Sequence, residues 1–119
     1  MSLEDLFKEM KNLIASARWR LHVGQGLLIR VANKQTGREF CPICAVYLEL
    51  NGVEIQGSFL MPELTAKHGI PERDLVRLTH AIDGCDLSGL HDPVLRTTVL
   101  ISLGASQETI KRMVRRFTN

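Results

Sequence analysis

The sequence predicts a mainly α-helical protein, a single compact domain over residues 1–119 with about six helices, two αα-hairpins and one small β-hairpin. Three observations lead to this fold class. A helix, Gly, helix pattern occurs twice in register, the N-terminal segment carries an apolar stripe of helical period, and residues 93–103 are apolar on nearly every side of a helix. A chain of 119 residues is also long enough to enclose one hydrophobic core.

The repeated pattern runs from Leu64 to Ile82 and again from Val99 to Phe117, with Gly69 aligned to Gly104. Glycine adopts positive φ at little cost, so each glycine can end one helix and turn the chain into the next. The apolar positions that follow the two glycines also coincide, which allows each second helix to pack back on the first. Each copy is therefore predicted to be an αα-hairpin.

The first helix is predicted from apolar residues spaced three and four apart between Leu3 and Ala17. Ser2 and Asp5 at its start match a capping box, with Asp in the place of the usual Glu. Beyond this helix, Trp19 and Leu21 are expected to lead the chain over the core.

A small β-hairpin is predicted next. The apolar run from Leu27 to Ala32 has the composition of a strand, and the turn-forming segment from Asn33 to Gly37 follows it. Arg38 to Phe40 then supplies the returning strand.

Residues 42–56 allow two interpretations. As a helix, Pro42 takes the first position, an apolar stripe runs from Ile43 to Leu50, and Gly52 ends the helix. As a hairpin, alternating apolar residues lead into a turn at Asn51 and Gly52. We favour the helix because the hairpin accounts for only the second half of the segment.

Two helices and a loop are predicted in the following stretch. A short helix from Pro62 to His68 ends at Gly69, and Pro71 begins a longer helix. The polar segment from Asp83 to His91 contains glycine and is expected to be a loop.

The C-terminal part is predicted to contain two further helices. Asp92 is a good cap for a helix that begins at Pro93. Since apolar side chains lie on nearly all sides of that helix, we expect it to be the buried central helix. The final helix is expected to run from Gln107 to Phe117.

Composition and charge limit the function classes. The chain is 45% hydrophobic and 24% charged with a net charge of +2, which is typical of globular proteins and too small to indicate a polyanion partner. It contains no apolar run long enough to cross a bilayer, and its acidic N-terminal segment is unlike a signal peptide. A cytoplasmic protein without membrane contact is therefore predicted.

The C-terminal hairpin has features of a DNA-binding unit. Gly104 stands in the turn, Ile110 follows six positions later, and polar residues begin the second helix. In these respects residues 96–116 resemble the helix-turn-helix of phage-type repressors. The resemblance implies base contacts from polar side chains and phosphate contacts from basic ones, and the candidate nucleic-acid-binding residues are Ser106, Gln107, Lys111, Arg112 and Arg115.

The cysteines form the second candidate site. Cys41 and Cys44 are spaced so that both can bind one zinc ion, but a structural zinc site needs four ligands. The candidate metal ligands of this alternative are Cys41, Cys44, His80, Cys85 and His91.

The segment Cys41-Pro42-Ile43-Cys44 also resembles the active-site motif of glutaredoxins, which implies a reactive thiolate at a helix N-terminus. The remaining sequence lacks the βαβ unit of that fold. We therefore favour a structural role, in which Cys41 caps a helix and Cys44 is a small buried residue.

A longer resemblance spans residues 41–104. Cys41-Pro42-Ile43 is followed by Ala45-Val46, a helix then ends in Ala81-Ile82-Asp83-Gly84, and Leu95-Arg96 precedes an apolar helix. This order resembles small uncharacterised bacterial and phage-borne proteins with a CPI-x-AV, AAD and LR core. The resemblance implies an α-helical protein of bacterial or phage setting, and it carries no activity with it.

The sequence contains no catalytic motif, no phosphate-binding glycine loop and no cofactor-binding pattern. We therefore expect a small non-enzymatic interaction or regulatory module that acts through helix surfaces on a protein partner or on a second copy of itself. The alternative is a DNA-binding protein that uses the C-terminal helix-turn-helix.

Overall fold

The structure, a computed structural model, describes residues 1–23, 28–84 and 92–118, and side chains as far as residue 114. The described residues form helices and a three-stranded antiparallel sheet in the following chain order: α1 (Leu3–Ala15), β1 (Trp19–Val23), β2 (Ile29–Asn33), β3 (Glu39–Phe40), α2 (Pro42–Asn51), α3 (Gly57–His68), α4 (Glu72–Asp83), α5 (Pro93–Ser102) and α6 (Gln107–Thr118). This confirms the mainly α-helical fold class with a small β element.

Helix α1 begins with the predicted capping box. The Asp5 amide donates to the Ser2 hydroxyl at 3.2 Å, and the Ser2 amide donates to the Asp5 carboxylate at 2.9 Å. Both bonds satisfy amides that have no partner within the helix. The inner face of α1 is buried, and the helix packs against β1, α2 and α5, so α1 joins the sheet to the helices on either side of it.

The sheet has the order β1-β2-β3. The predicted hairpin is confirmed, since Val31 of β2 pairs with Phe40 of β3. The sequence interpretation missed strand β1, where Trp19 lies opposite Asn33 and Val23 lies opposite Ile29. Alternation of apolar and polar residues in β1 is the signal that could have revealed this strand.

The helix interpretation of residues 42–51 is correct, and the hairpin interpretation is wrong. Pro42 occupies the first turn, where a missing amide hydrogen costs nothing. Gly52 ends α2 in the left-handed region with φ of 73°, and its amide donates to the Leu48 carbonyl at 2.8 Å.

The predicted start of the third helix is wrong. α3 begins at Gly57, so Pro62 lies inside the helix rather than at its first position. Leu60 precedes the proline and is buried in the core, which favours an earlier start of the helix than the local sequence indicates. The helix ends at Gly69 as predicted, with φ of 67°.

Both predicted αα-hairpins are present. α3 packs against α4 across the turn at Gly69, and α5 packs against α6 across the turn at Gly104, where φ is 77°. A side chain at Gly104 would approach Ile14, so this second turn also lies against the end of α1. Residues 85–91, most of the predicted polar loop, lie outside the described residues.

Helix α5 is not buried on all sides as predicted. Leu95, Val99 and Leu100 are buried, but Val94 is 75% exposed and Ile101 is 53% exposed. The neighbours of α5 are α1, α4 and α6, and they leave one stripe of the helix uncovered. The apolar sequence of this stripe is therefore a surface feature and not part of the core.

The buried apolar side chains form one continuous cluster that includes residues of α1, the sheet and every later helix. Leu6, Trp19, Ile43 and Leu78 are among its largest fully buried members. Within the described ranges, none of the helices has the length and apolar character that crossing a membrane requires.

Candidate functional site

A shallow apolar groove lies between α1 and α5, and we call it the α1–α5 groove. It has a volume of about 330 Å³ and is lined by Glu4, Phe7, Lys8, Lys11, Thr98, Ile101 and Ser102. Its apolar surface comes from half-buried Phe7 on α1 and from exposed Ile101 on α5.

The spacing of residues on α5 produces this surface. Val94, Thr98 and Ile101 are separated by four and three positions, so they lie on one face of the helix. The Thr98 hydroxyl donates to the Val94 carbonyl at 3.0 Å, so it needs no partner from the groove. The exposed stripe therefore offers apolar contacts without an unsatisfied hydroxyl.

The α1 side of the groove carries positive charge. Lys8 and Lys11 are both exposed, and neither forms an ion pair with a carboxylate in the part of the chain that the structure describes. Glu4 lies one turn before Lys8 and is the acidic member of the lining. The groove thus combines an apolar floor with two cations available to a ligand.

A second cleft, of about 300 Å³, lies between α1 and α2 and is lined by both polar and apolar side chains. Its Glu49 carboxylate accepts hydrogen bonds from Arg18 at 2.7 Å and from the Trp19 indole at 2.8 Å. Because this charge is already neutralised by contacts within the chain, the cleft is a weaker candidate for binding than the α1–α5 groove.

The α5–α6 hairpin presents most of the predicted DNA-binding residues to solvent. Gln107, Lys111 and Arg112 are exposed, whereas the side chain of Arg115 lies outside the described residues. The Ser106 hydroxyl accepts the Thr109 amide at 3.2 Å, so it serves as the cap of α6. Ile110 is buried, as the helix-turn-helix resemblance implies.

The cysteine pair lies at the N-terminus of α2. Cys41 is the residue before the helix, and Cys44 is one turn further on, so both thiols lie near the same end of α2. Both are free and half-buried. Cys41 is the N-cap residue of α2 as predicted, although its thiol forms no cap hydrogen bond.

The environment distinguishes the two thiols. The Cys44 thiol is close enough to donate to a Cys41 thiolate, and this contact lowers the pKa of Cys41 to about 7, assisted by the amides of Ile43 and Cys44. Burial and the nearby carboxylate of Asp83 oppose the shift. The same thiol–thiol contact, together with burial, raises the pKa of Cys44, while Arg30 acts in the opposite direction.

The structure describes three of the predicted metal ligands, Cys41, Cys44 and His80. Among the described residues, no three His, Cys, Asp or Glu side chains are placed to hold one metal ion, so His80 does not join Cys41 and Cys44. Cys85 and His91 lie outside the described residues.

A buried arginine was missed by the sequence interpretation. Arg96 on α5 is fully buried, and its guanidinium donates to the carbonyls of Ala81 and Ile82 on α4 and to the Met113 carbonyl on α6. Its spacing from Val99 and Leu100 places it on the buried stripe of α5, and this is the signal that could have revealed its position.

Comparisons with protein-family models, curated proteins and solved structures find no match to this chain.

Proposed function

We propose that this protein is a non-enzymatic interaction module that binds an acidic amphipathic helix of a protein partner in the α1–α5 groove. The observation that carries the proposal is exposed Ile101 on α5 beside Lys8 and Lys11, which form no ion pair with any carboxylate that the structure describes.

The groove suits the helix-in-groove mode of recognition. A ligand helix that places apolar residues three, four and seven positions apart would cover Ile101 in the groove, and it would continue along the same face of α5 to Val94, which lies outside the groove lining. Lys8 and Lys11 would pair with acidic residues along the edge of such a helix. Paired charges at the rim favour the correct partner and accelerate its association more than they increase affinity.

The proposal is tested with a displayed library of amphipathic helical peptides of varied net charge. We expect acidic peptides to be enriched, and we expect Ile101→Asp to weaken their binding by at least about tenfold. Val53→Asp is the matched control, because Val53 is 56% exposed and is not part of the groove lining. Enrichment of basic peptides, or binding that is insensitive to Ile101→Asp, would contradict the proposal.

The lysines are tested separately with the selected acidic peptides. Lys8→Glu and Lys11→Glu should slow association, with an effect that decreases at high salt. Lys34→Glu, in the exposed β2–β3 turn, is the charge-matched control. Sedimentation at increasing protein concentration tests for self-association. A dimer that is lost in Ile101→Asp would show that the occupant of the groove is a second copy of this chain and not a helix of another protein.

Duplex DNA is the second candidate, favoured by the exposure of Gln107, Lys111 and Arg112 at the start of α6. Our primary proposal predicts only weak, salt-sensitive binding to a random pool of duplexes. Enrichment of a discrete sequence motif that disappears in Gln107→Ala would establish the DNA-binding alternative instead.

A further inference from the structure

The dithiol at the N-terminus of α2 is separate from the α1–α5 groove, and both cysteines pack against the edge of the hydrophobic core. We propose that Cys41 and Cys44 form a redox-active pair that exchanges with disulfides, with Cys41 as the attacking thiol and Cys44 as the resolving thiol.

The backbone geometry supports this pairing. Residues three apart at a helix start have Cα atoms about 5 Å apart, which lies within the range that a disulfide spans. Cys41 is the N-cap residue and Cys44 lies in the first turn of α2, so the two side chains belong to the same turn. Both residues are free and half-buried, so the pair lies at the edge of the core rather than inside it.

The two cysteines have different surroundings, which assigns their roles. Cys41 precedes the helix, where the amides of Ile43 and Cys44 and the helix dipole stabilise a thiolate. With a pKa of about 7, Cys41 is partly ionised at neutral pH and close to the optimum for attack on a disulfide. Cys44 retains its proton until the mixed disulfide has formed.

The charged groups around the pair act in opposite directions. The Asp83 carboxylate at the end of α4 disfavours the Cys41 thiolate, whereas Arg30 on β2 favours ionisation of Cys44. Once Cys41 is bound in a mixed disulfide, its sulfur carries no negative charge. It then no longer accepts a hydrogen bond from the Cys44 thiol, so that contact no longer keeps Cys44 protonated. Arg30 is then positioned to favour the Cys44 thiolate that completes the exchange.

The reaction balances without a cofactor. The Cys41 thiolate attacks one sulfur of the disulfide R–S–S–R, the S–S bond breaks, and one RS⁻ leaves. Cys44 then loses its proton and attacks the Cys41 sulfur, which releases a second RS⁻ and forms the Cys41–Cys44 disulfide. The two cysteines are oxidised, the substrate disulfide is reduced to two thiols, and the proton passes to a released thiolate or to water.

The experiment uses glutathione disulfide as the probe and the full chain carrying Cys85→Ser, which leaves only the pair. After alkylation, intact-mass analysis should show a protein lighter by two hydrogens that accepts no alkyl group. With Cys44→Ser added, the reaction should stop at one glutathione bound to Cys41. With Cys41→Ser added, modification should be at least about tenfold slower at pH 7.

The pH dependence separates reactivity from mere exposure. The rate of Cys41 modification in the protein with Cys85→Ser should rise through an inflection near pH 7, and Cys44→Ser should move that inflection upward because the stabilising thiol is lost. Circular dichroism checks that each variant remains folded. Folded protein that forms no intramolecular disulfide, or equal rates in the two single-cysteine variants, would overturn the proposal.

Discussion

Arg96 shows how a single charged side chain can organise three helices. Its guanidinium lies on the buried side of α5 and donates to carbonyls at the C-terminal end of α4 and on α6. Burial lowers the pKa of Arg96 to about 10, opposed by Asp83, so the group remains protonated at neutral pH. A cation at the end of α4 also interacts favourably with the dipole of that helix.

Replacing this arginine by an apolar residue should destabilise the protein. Arg96→Met leaves buried carbonyls of Ala81, Ile82 and Met113 without this donor, and we expect a loss of about 2–4 kcal/mol in the free energy of unfolding. Urea denaturation measures the difference. Arg73→Met is the control, because Arg73 is exposed and should change stability by less than about 0.5 kcal/mol.

The cap of α5 should make stability depend on pH. Asp92 accepts the Leu95 amide at 3.0 Å and the Arg77 guanidinium at 3.0 Å, and these contacts lower the pKa of the carboxyl. Since the folded-state pKa lies below the unfolded value, the stabilisation is present above the unfolded value and is lost as pH falls through the folded value.

Asp92→Ala should therefore cost about 1 kcal/mol at pH 7, and the difference from the unmodified protein should shrink in acid. Urea denaturation at pH 7 and at pH 3 tests this. Asp92→Asn is the matched variant, because it retains a capping oxygen but removes the charge. A cost of Asp92→Ala that is the same at both pH values would show that the charge contributes nothing.

At the scale of elements, α5 combines a buried core face with an exposed apolar face. Leu95, Val99 and Leu100 contact the core, while Val94 and Ile101 remain in water. The hydrophobic pattern of the helix is nearly uniform, so neighbouring elements determine which side is buried. Because Leu100 is buried and Ile101 is exposed, these adjacent aliphatic residues allow the effects of substitution on stability to be compared directly.

Leu100→Ala should lower the free energy of unfolding by about 2–5 kcal/mol, because it removes a fully buried side chain and leaves a cavity. Ile101→Ala, one position later, should have an effect of less than about 1 kcal/mol since Ile101 is 53% exposed. Denaturant midpoints of the two variants provide the measurement. Equal effects would mean that the buried and exposed sides of α5 have been assigned wrongly.

At the scale of the whole molecule, the sheet and the helices share one core. The radius of gyration is 13.5 Å, which agrees with the value of about 13.5 Å expected for a compact chain of this length. Trp19 links the two kinds of structure, because this strand residue is buried, packs edge-on against Phe40 and donates its indole hydrogen to Glu49 on α2.

A shared core predicts cooperative unfolding. Trp19 is the sole tryptophan, so its fluorescence reports on the sheet, whereas far-ultraviolet circular dichroism reports mainly on the helices. The two signals should give the same urea midpoint. Separate midpoints would show that the sheet and the helices unfold independently.

Several features follow from sequence signals that act over a few residues. The capping box of α1 and the positive φ of the glycines that end α2 and α3 depend on neighbouring backbone groups, and the sequence predicted each of them. The Cys41 and Cys44 pair was also identified from its spacing. Local periodicity and capping were therefore sufficient to predict that the helices and both αα-hairpins form, but not that α3 begins at Gly57.

The tertiary structure decided which surfaces are covered and which charges meet. Strand β1 pairs with β2, the exposed stripe of α5 lies beside the lysines of α1, and Arg96 reaches carbonyls on two other helices. The placement of Asp83 and Arg30 near the dithiol likewise depends on α4 and β2. These relations join residues that are distant in the chain, so no local pattern encodes them, and only the packing of the elements brings the groups together.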